Sequence, residues 1–200
     1  MRLFVAVVPP RAALAELGAA VDALRALPDA DGLRWTERAG WHVTLAFLGE
    51  VGPDLVPGLV ERLDRAARRH QPYRAGLAGG GRFGDRTLWA GLDEAGPDGD
   101  LGRDGRSTAR LAEAAQAAAR RAGVSYEDEH GRFHAHLTLA RQRGNRGRVG
   151  LRPFTDALGA FRGTVWTADA IALVRSHPPA PGVPGAQPRY ERLRTCPLGH

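Results

Sequence analysis

The chain has 200 residues, 43% of them hydrophobic and 25% charged, proportions that indicate one globular domain and exclude a disordered or low-complexity protein. Its net charge of +6 reflects 28 basic residues, all of them Arg. This exclusive use of Arg, together with abundant Ala, Gly and Pro, indicates compositional bias. We therefore count an Arg as evidence for an anionic partner only where it adjoins a motif.

The first quarter of the chain predicts a strand, a helix and a second strand. Residues 3–8 are an apolar, β-branched-rich run that two prolines end, as expected of a buried strand. The run is too short for a membrane span and does not have the layout of a secretory leader, so we expect a cytoplasmic protein. Residues 11–27 show helical spacing of Leu and Val, and residues 41–48 read as a strand.

The later segments predict more strands than helices. Two further helices are expected at residues 54–70 and 108–122. Strands are expected at 73–77, 87–92, 133–140, 163–165, 169–175 and 189–194. Composition rich in Gly, Pro and charged residues predicts loops at 79–85, 93–107, 143–152 and 178–188. Because strands and helices do not alternate regularly, the pattern indicates an α+β fold and not a parallel sheet.

One short motif occurs twice on predicted strands. The two copies, His42-Val43-Thr44-Leu45 and His136-Leu137-Thr138-Leu139, are separated by 94 residues. Side chains alternate along a strand with period two, so each His must share a sheet face with its Thr, while the apolar residues point to the core. Two lobes related by an approximate two-fold axis would bring both motif strands to one small site.

Two imidazoles at one site supply the acid and the base that cleavage of a phosphodiester requires. Imidazole titrates near neutrality, so one ring can accept a proton while the other donates one. Because the two motifs are nearly symmetric, they do not show which of His42 and His136 is the acid and which is the base. His134-x-His136 could suggest a metal pair, but no acidic or Cys ligand follows at a diagnostic spacing, so we expect no metal and no cofactor. The single cysteine, Cys196, is not a candidate nucleophile.

These motifs and their surroundings resemble the two-histidine (2H) phosphoesterases, and within them the RNA 2′,3′-cyclic phosphodiesterases, also called LigT-like or 2′-5′ RNA ligase family proteins. The resemblance covers nearly the whole chain. The matching segments are Met1–Ala6, Arg34-Trp35, His42–Glu50, Leu88–Gly91, His136–Arg141 and Arg189-Tyr190. The loop at 93–107 and the Pro-rich loop after His177 depart from the pattern.

The resemblance implies a fold and a set of roles. The fold is bilobed α+β, with two antiparallel sheets related by a pseudo-two-fold around a central cleft, helices outside, and residues 1–200 forming one domain with one motif per lobe. By the same analogy His42 donates a proton to the departing 3′ oxygen and His136 activates water. Thr44 and Thr138 would bind the non-bridging phosphate oxygens, and Arg141 is expected to contact the phosphate.

The function predicted is metal-independent hydrolysis of RNA 2′,3′-cyclic phosphate ends to 2′-phosphomonoesters. Three alternatives stay open: 2′-5′ ligation by the reverse reaction, a non-catalytic RNA-end or nucleotide-binding module, and a phosphodiesterase for small cyclic nucleotides. Trp41 and Phe133 flank the motifs and could stack a base, but aromatics beside buried strands favour a core position. No apolar stripe remains after the core helices are assigned, so we expect a monomer.

Overall fold

An antiparallel sheet of ten strands runs through the protein. The computed structural model describes residues 1–96, 98, 101–102, 106–125, 133–143, 148–179, 182 and 186–199. Its strands are β1 (Arg2–Val7), β2 (Leu33–Trp35), β3 (Val43–Glu50), β4 (Tyr73–Phe83), β5 (Thr87–Ala95), β6 (Leu101–Gly102), β7 (His136–Gln142), β8 (Trp166–Ala168), β9 (Ala170–His177) and β10 (Arg189–Pro197). The α-helices of the described residues are α1 (Arg11–Arg25), α2 (Val56–Ala67), α3 (Arg106–Arg121) and α4 (Arg152–Leu158). The α+β class predicted from the sequence is confirmed.

The main path of the sheet has two four-stranded halves with the two motif strands at its centre, and the short strands β2 and β6 are added to the second half. The strand order is β10-β9-β1-β3-β7-β5-β4-β8, with β2 paired to β7 and β6 to β5. Strands β3 and β7 are joined by one residue pair, Val43 and Leu137. The two antiparallel sheets expected from the resemblance are therefore the two halves of one continuous sheet, which meet where the histidine motifs begin.

Alternation of side chains separates a large core from the face that carries the site. In β1, Leu3, Val5 and Val7 belong to the main core, which also takes in the buried faces of the helices. Phe4 and Ala6 point to the opposite face, where they form a small apolar cluster with Ala172 and Val174 of β9. Strand β1 is thus buried on both faces, and its second face supports one side of the cleft.

The Gly-rich segment 79–85 is largely strand and not loop, because β4 continues to Phe83. The reason lies in tertiary packing. A Cβ on Gly80 would lie 2.6 Å from Cδ1 of Leu158, and a Cβ on Gly81 would lie 2.2 Å from Cζ2 of Trp89. The glycines let a helix residue and a cross-strand indole pack directly onto the strand backbone.

Several element predictions need correction. Helix α4 was not predicted; at seven residues it is the shortest α-helix of the described residues, and it buries Phe154 and Leu158. The three-residue β2 was also missed, and the strand expected at 163–165 lies instead at Trp166–Ala168. The strand expected at 133–140 begins at His136, and β5 extends into the loop expected at 93–107. Parts of the loops expected at 93–107, 143–152 and 178–188 lie outside the described residues.

Candidate active site

A cavity of about 750 Å³ opens on the face of the sheet where the two motif strands meet. Its lining includes all five side chains that the sequence singled out: His42, Thr44, His136, Thr138 and Arg141. The apolar residues of both motifs lie on the other face, where Val43, Leu45, Leu137 and Leu139 are at most 2% exposed. The predicted division of each motif into a cleft face and a core face is confirmed.

A β-bulge follows the Thr of each motif at the equivalent position. In β3, Thr44 pairs with Ala6 and Ala46 with Val5, so Leu45 has no partner in β1. In β7, Thr138 pairs with Trp89 and Ala140 with Leu88, so Leu139 has no partner in β5. The two unpaired Leu residues differ by the same 94 positions as the two histidines.

Beyond each bulge, one more residue of the strand faces the cleft. An extra residue reverses the alternation of faces beyond it, so the residue three positions after each Thr lines the cavity. In the first half this residue is Phe47, and in the second half it is Arg141. The bulge therefore explains why Arg141 shares a face with Thr138 despite the odd spacing, and it identifies Phe47 as the counterpart of Arg141.

His136 is held in one tautomer by its own strand. Its Nδ1 lies 2.7 Å from the backbone oxygen of His134. A carbonyl oxygen only accepts hydrogen bonds, so Nδ1 donates, and in the neutral ring Nε2 carries the lone pair. The ring is flanked by Phe83, with centroids 4.7 Å apart and an interplanar angle of 86°, and by Trp89 at 6.1 Å. In the neutral ring, the nitrogen that can accept a proton is therefore Nε2.

His42 lies in a less hydrated setting. The ring of Phe4 stacks on it with centroids 4.5 Å apart, and Tyr190 meets it edge-on at 5.2 Å. The pKa of His42 is lowered to about 4, mainly by burial; a hydrogen bond to the backbone of Gly40 opposes this shift, and the nearby His136 adds to it. In the unliganded protein at neutral pH His42 is therefore uncharged.

The two histidines share one backbone arrangement. Each ring donates to the carbonyl two residues earlier, of Gly40 for His42 and of His134 for His136. Each is followed by a cleft-facing Thr and a bulged Leu. The sheet thus brings both rings to one cavity with equivalent backbone surroundings.

Aromatic side chains at the cavity were not predicted from the sequence. Among the described residues, the large hydrophobic side chains that are exposed are Phe47, Phe83 and Tyr190, and all three line the cavity. Comparison of the two motif copies could have found Phe47, since it stands where the second copy has Arg141. Trp41 and Phe133 belong to the core or pack against it, as the sequence favoured.

Other features of the site involve His134 and possible metal ligands. His134 is exposed and lies against Trp89, with ring centroids 4.5 Å apart. Across the part of the chain that the structure describes, no three His, Cys, Asp or Glu side chains gather as metal ligands would. Within the same part, no helix has the length and apolar character needed to cross a membrane.

Comparison with known proteins agrees with this architecture. The family model for LigT-like phosphoesterases matches residues 7–89. An RNA 2′,3′-cyclic phosphodiesterase of Geobacillus stearothermophilus is 29% identical over 82% of this chain and 47% of its own length. One of Archaeoglobus fulgidus is 30% identical over 59% of this chain and 61% of its own. The crystal structure of TT0787 of Thermus thermophilus is 28% identical, with a TM-score of 0.72 and coverage of 100% of this chain and 98% of that one.

Two His-x-Thr-Leu motifs on the central strands of an antiparallel α+β sheet are the arrangement expected from the resemblance to the two-histidine phosphoesterases. Over residues 7–89 the chain is similar in sequence to the LigT-like phosphoesterases, and its fold is similar to that of TT0787 along its whole length. The matches span about half to three fifths of the length of the curated relatives.

Proposed function

We propose that the protein is a phosphodiesterase that opens RNA 2′,3′-cyclic phosphate ends to 2′-phosphomonoesters, with residues 1–200 acting as one bilobed domain. The observation that carries the proposal is the single cavity lined by His42, Thr44, His136 and Thr138 in two equivalent backbone settings. Curated relatives at 29% and 30% identity that are named RNA 2′,3′-cyclic phosphodiesterases support this substrate.

The phosphate of the substrate lies between the two histidines. The Thr44 and Thr138 hydroxyls donate hydrogen bonds to the two non-bridging oxygens, on which negative charge grows in the transition state. Arg141 adds a charge-assisted contact from the β7 side. A rigid sheet holds these groups, so little reorganisation is needed when the charge develops.

In the reaction, His136 serves as the base and His42 as the acid. Nε2 of His136 takes a proton from water, whose oxygen attacks phosphorus. The bond from phosphorus to the 3′ oxygen breaks, and His42 gives that oxygen a proton, which leaves a 3′-hydroxyl and a 2′-phosphate. The hydrogen bond from Nδ1 of His136 to His134 stabilises the imidazolium that forms.

The low pKa of His42 in the free protein is compatible with the role of acid once substrate is bound. An anionic phosphate beside a buried imidazole favours its protonated form. His42 therefore takes up a proton when the cyclic phosphate binds, and it carries that proton next to the leaving oxygen. A group of low intrinsic pKa then releases the proton readily to an alkoxide.

The test uses an oligonucleotide ending in a 2′,3′-cyclic phosphate, incubated with the purified protein in EDTA. Mass spectrometry and phosphatase sensitivity identify the product. We expect a 2′-phosphate with the wild type and almost none with His42→Ala or His136→Ala. His70→Ala, which changes a histidine outside the cavity, is the matched control and should retain activity.

Other outcomes point to the alternatives. Tight binding without turnover by the wild type would favour a non-catalytic RNA-end module. Turnover that depends on a divalent metal, or that survives either motif substitution, would contradict the two-histidine mechanism. Supplying a 5′-hydroxyl RNA and a 2′,3′-cyclic phosphate end together tests 2′-5′ ligation, which dilute aqueous conditions should disfavour.

A further inference from the structure

We infer that Arg2, Arg34 and Tyr190 form a second phosphate subsite beside the His42 side of the cavity, and that it takes the phosphate on the 5′ side of the terminal nucleotide of a polynucleotide. The inference rests on the proposed function, because it assumes that the terminal cyclic phosphate lies between the histidines. It adds that the preferred substrate is a strand and not a lone cyclic nucleotide.

The first observation is a pair of arginines placed side by side on adjacent strands. Arg34 of β2 and Arg141 of β7 are directly paired in the antiparallel register, and both line the cavity. Like charges at directly opposed positions of a sheet are destabilising. Phosphate groups bound to the two guanidinium groups would offset that repulsion.

The second observation is the position of Tyr190. Its ring meets both Phe4 and His42 edge-on, at 5.5 and 5.2 Å, so it forms the wall next to the acid. Burial raises the pKa of Tyr190, while the positive charges of Arg141, Arg2 and Arg34 lower it in part. The phenol therefore lies within electrostatic range of all three arginines and stays protonated, able to donate a hydrogen bond to an anion.

The third observation is the charge of the cavity wall. Arg2, Arg34 and Arg141 line it, and none of the described residues that line it is acidic. Glu50, the register partner of Arg2, lies instead 3.2 Å from the N-terminal amine. The wall thus carries three cations at one end, more positive charge than a single phosphate monoanion requires.

A second phosphate on the same ligand fits this excess of charge. Arg141 lies on the motif strand beside Thr138 and can contact the cyclic phosphate, whereas Arg2 and Arg34 lie with it around Tyr190. Guanidinium groups bind phosphate oxygens in a bidentate fashion. Every nucleotide at the 3′ end of a strand carries a phosphate on its 5′ oxygen, but a free cyclic nucleoside phosphate does not.

The experiment compares four ligands that differ in the group on the 5′ oxygen of the terminal nucleoside. They are adenosine 2′,3′-cyclic phosphate, the same compound with a 5′-phosphate, a dinucleotide ending in the cyclic phosphate, and that dinucleotide with a neutral methylphosphonate linkage. For the wild type we expect kcat/KM about ten- to a hundredfold higher for the charged dinucleotide than for the neutral one, a preference that weakens with added salt. The 5′-phosphorylated mononucleotide separates a requirement for any 5′ phosphate from one for an internal diester.

Variants then assign the preference to the subsite. The ratio of kcat/KM for the charged dinucleotide to that for the neutral one should fall in each of the variants Arg2→Gln, Arg34→Gln and Tyr190→Phe. In the Arg2→Gln/Arg34→Gln double variant, this ratio should lie within about threefold of one. Arg69→Gln removes an exposed arginine outside the cavity and should leave the ratio unchanged. Circular dichroism verifies the fold of each variant, and the ligand comparison does not depend on any variant.

The inference is overturned if the wild type treats the charged and neutral dinucleotides alike, or if the preference persists in the double variant. It is also overturned if the 5′-phosphorylated mononucleotide is preferred and the charged dinucleotide is not. If the wild type turns over none of the four ligands, the proposed function fails. In that case, titration with the same ligands still tests the subsite, because tighter binding of the charged dinucleotide does not require turnover.

Discussion

The two halves of the sheet have the same backbone at the site and different surroundings. In each half a histidine donates to the carbonyl two residues earlier, a Thr follows it into the cleft, and a bulged Leu comes next. Three positions after that Thr, however, one half presents Phe47 and the other Arg141. Duplicated strands can therefore fix the positions of two like groups while neighbouring residues give them unlike properties.

The difference between the halves suits acid-base chemistry. Different environments can give an acid and a base of the same residue type different pKa values. Phe4 and Tyr190 surround His42, and burial there lowers its pKa to about 4. His136 instead has Phe83 edge-on and a fixed Nδ1–H. In the proposed mechanism, whose acid and base roles follow the family resemblance, the acid is the desolvated ring of His42.

The largest expected effect comes from removing either histidine. His42→Ala and His136→Ala should each lower single-turnover rates by about 10² to 10⁴-fold, since each removes one proton-transfer partner. The double variant should be little worse than the poorer single one, because the two rings act in the same step. Losses that differ greatly between the halves, or that multiply in the double variant, would show that the rings act independently.

Removal of the hydroxyls should reveal an asymmetry between the halves. Thr44→Val and Thr138→Val keep the shape and the strand propensity but remove a donor to the phosphate, which costs about a hundredfold in kcat for a group of this kind. Thr138→Val should lose less, because Arg141 on the same strand still binds the phosphate. The measurement is kcat for both variants, with Thr195→Val in β10 as an exposed strand control. Equal losses would argue that Arg141 does not contact the reacting phosphate.

The burial of His42 predicts a pH dependence of stability. Its pKa is about 4 in the fold and 6.5 in the unfolded chain, so the unfolded state binds the proton first as the pH falls. The contribution of the neutral ring to stability is complete above pH 6.5 and is lost as the pH falls from 6.5 to about 4. The loss amounts to up to about 3 kcal/mol, since one pKa unit corresponds to about 1.4 kcal/mol.

Urea unfolding of the wild type and of His42→Gln at about pH 7 and pH 4 measures this effect. Groups that titrate in both proteins cancel in the comparison, so the wild type should lose up to about 3 kcal/mol more than the variant on acidification. Equal losses of unfolding free energy in the two proteins would mean that the ring of His42 is hydrated in the folded protein.

The sequence predicted the features of the site that depend on local alternation. The period of a strand is enough to place the polar and the apolar motif residues on opposite faces of the sheet. The polar ones are His42, Thr44, His136 and Thr138. The bulges could not be predicted in this way, because the partner strand decides where a residue is left unpaired. The resemblance suggested Arg141, but only the register explains how it reaches the cleft.

The features that the sequence missed depend on distant parts of the chain. Tyr190 reaches His42 from β10, a strand near the other end of the chain, and no local pattern contains that contact. The Gly-rich part of β4 resembles a turn by composition, yet Trp89 from the next strand packs onto Gly81 and keeps the segment extended. In both places tertiary packing overrides local propensity.

The smallest expected effect comes from two glycines that pack against aromatic side chains, Trp89 on Gly81 and Tyr190 on Gly40. A Cβ on Gly81 would lie 2.2 Å from Cζ2 of Trp89, whereas a Cβ on Gly40 would lie 3.0 Å from Cε2 of Tyr190. Gly81→Ala should therefore cost about 1–3 kcal/mol through overpacking, and Gly40→Ala less than about 1 kcal/mol. Gly58→Ala, in an open position of α2, is the control and should stabilise the helix by about 0.5–1 kcal/mol.

Urea denaturation measures the three free energies, and tryptophan fluorescence reports on any displacement of Trp89. Because Trp89 lies against His134, whose carbonyl fixes the tautomer of His136, Gly81→Ala should also reduce turnover. Gly40→Ala keeps the carbonyl that accepts from His42, so its turnover should fall less. If Gly81→Ala were as stable and as active as the wild type, the packing of the Trp89 indole would not be what holds His134 and His136 in place. The difference between the halves would then reside in the environment of His42 alone.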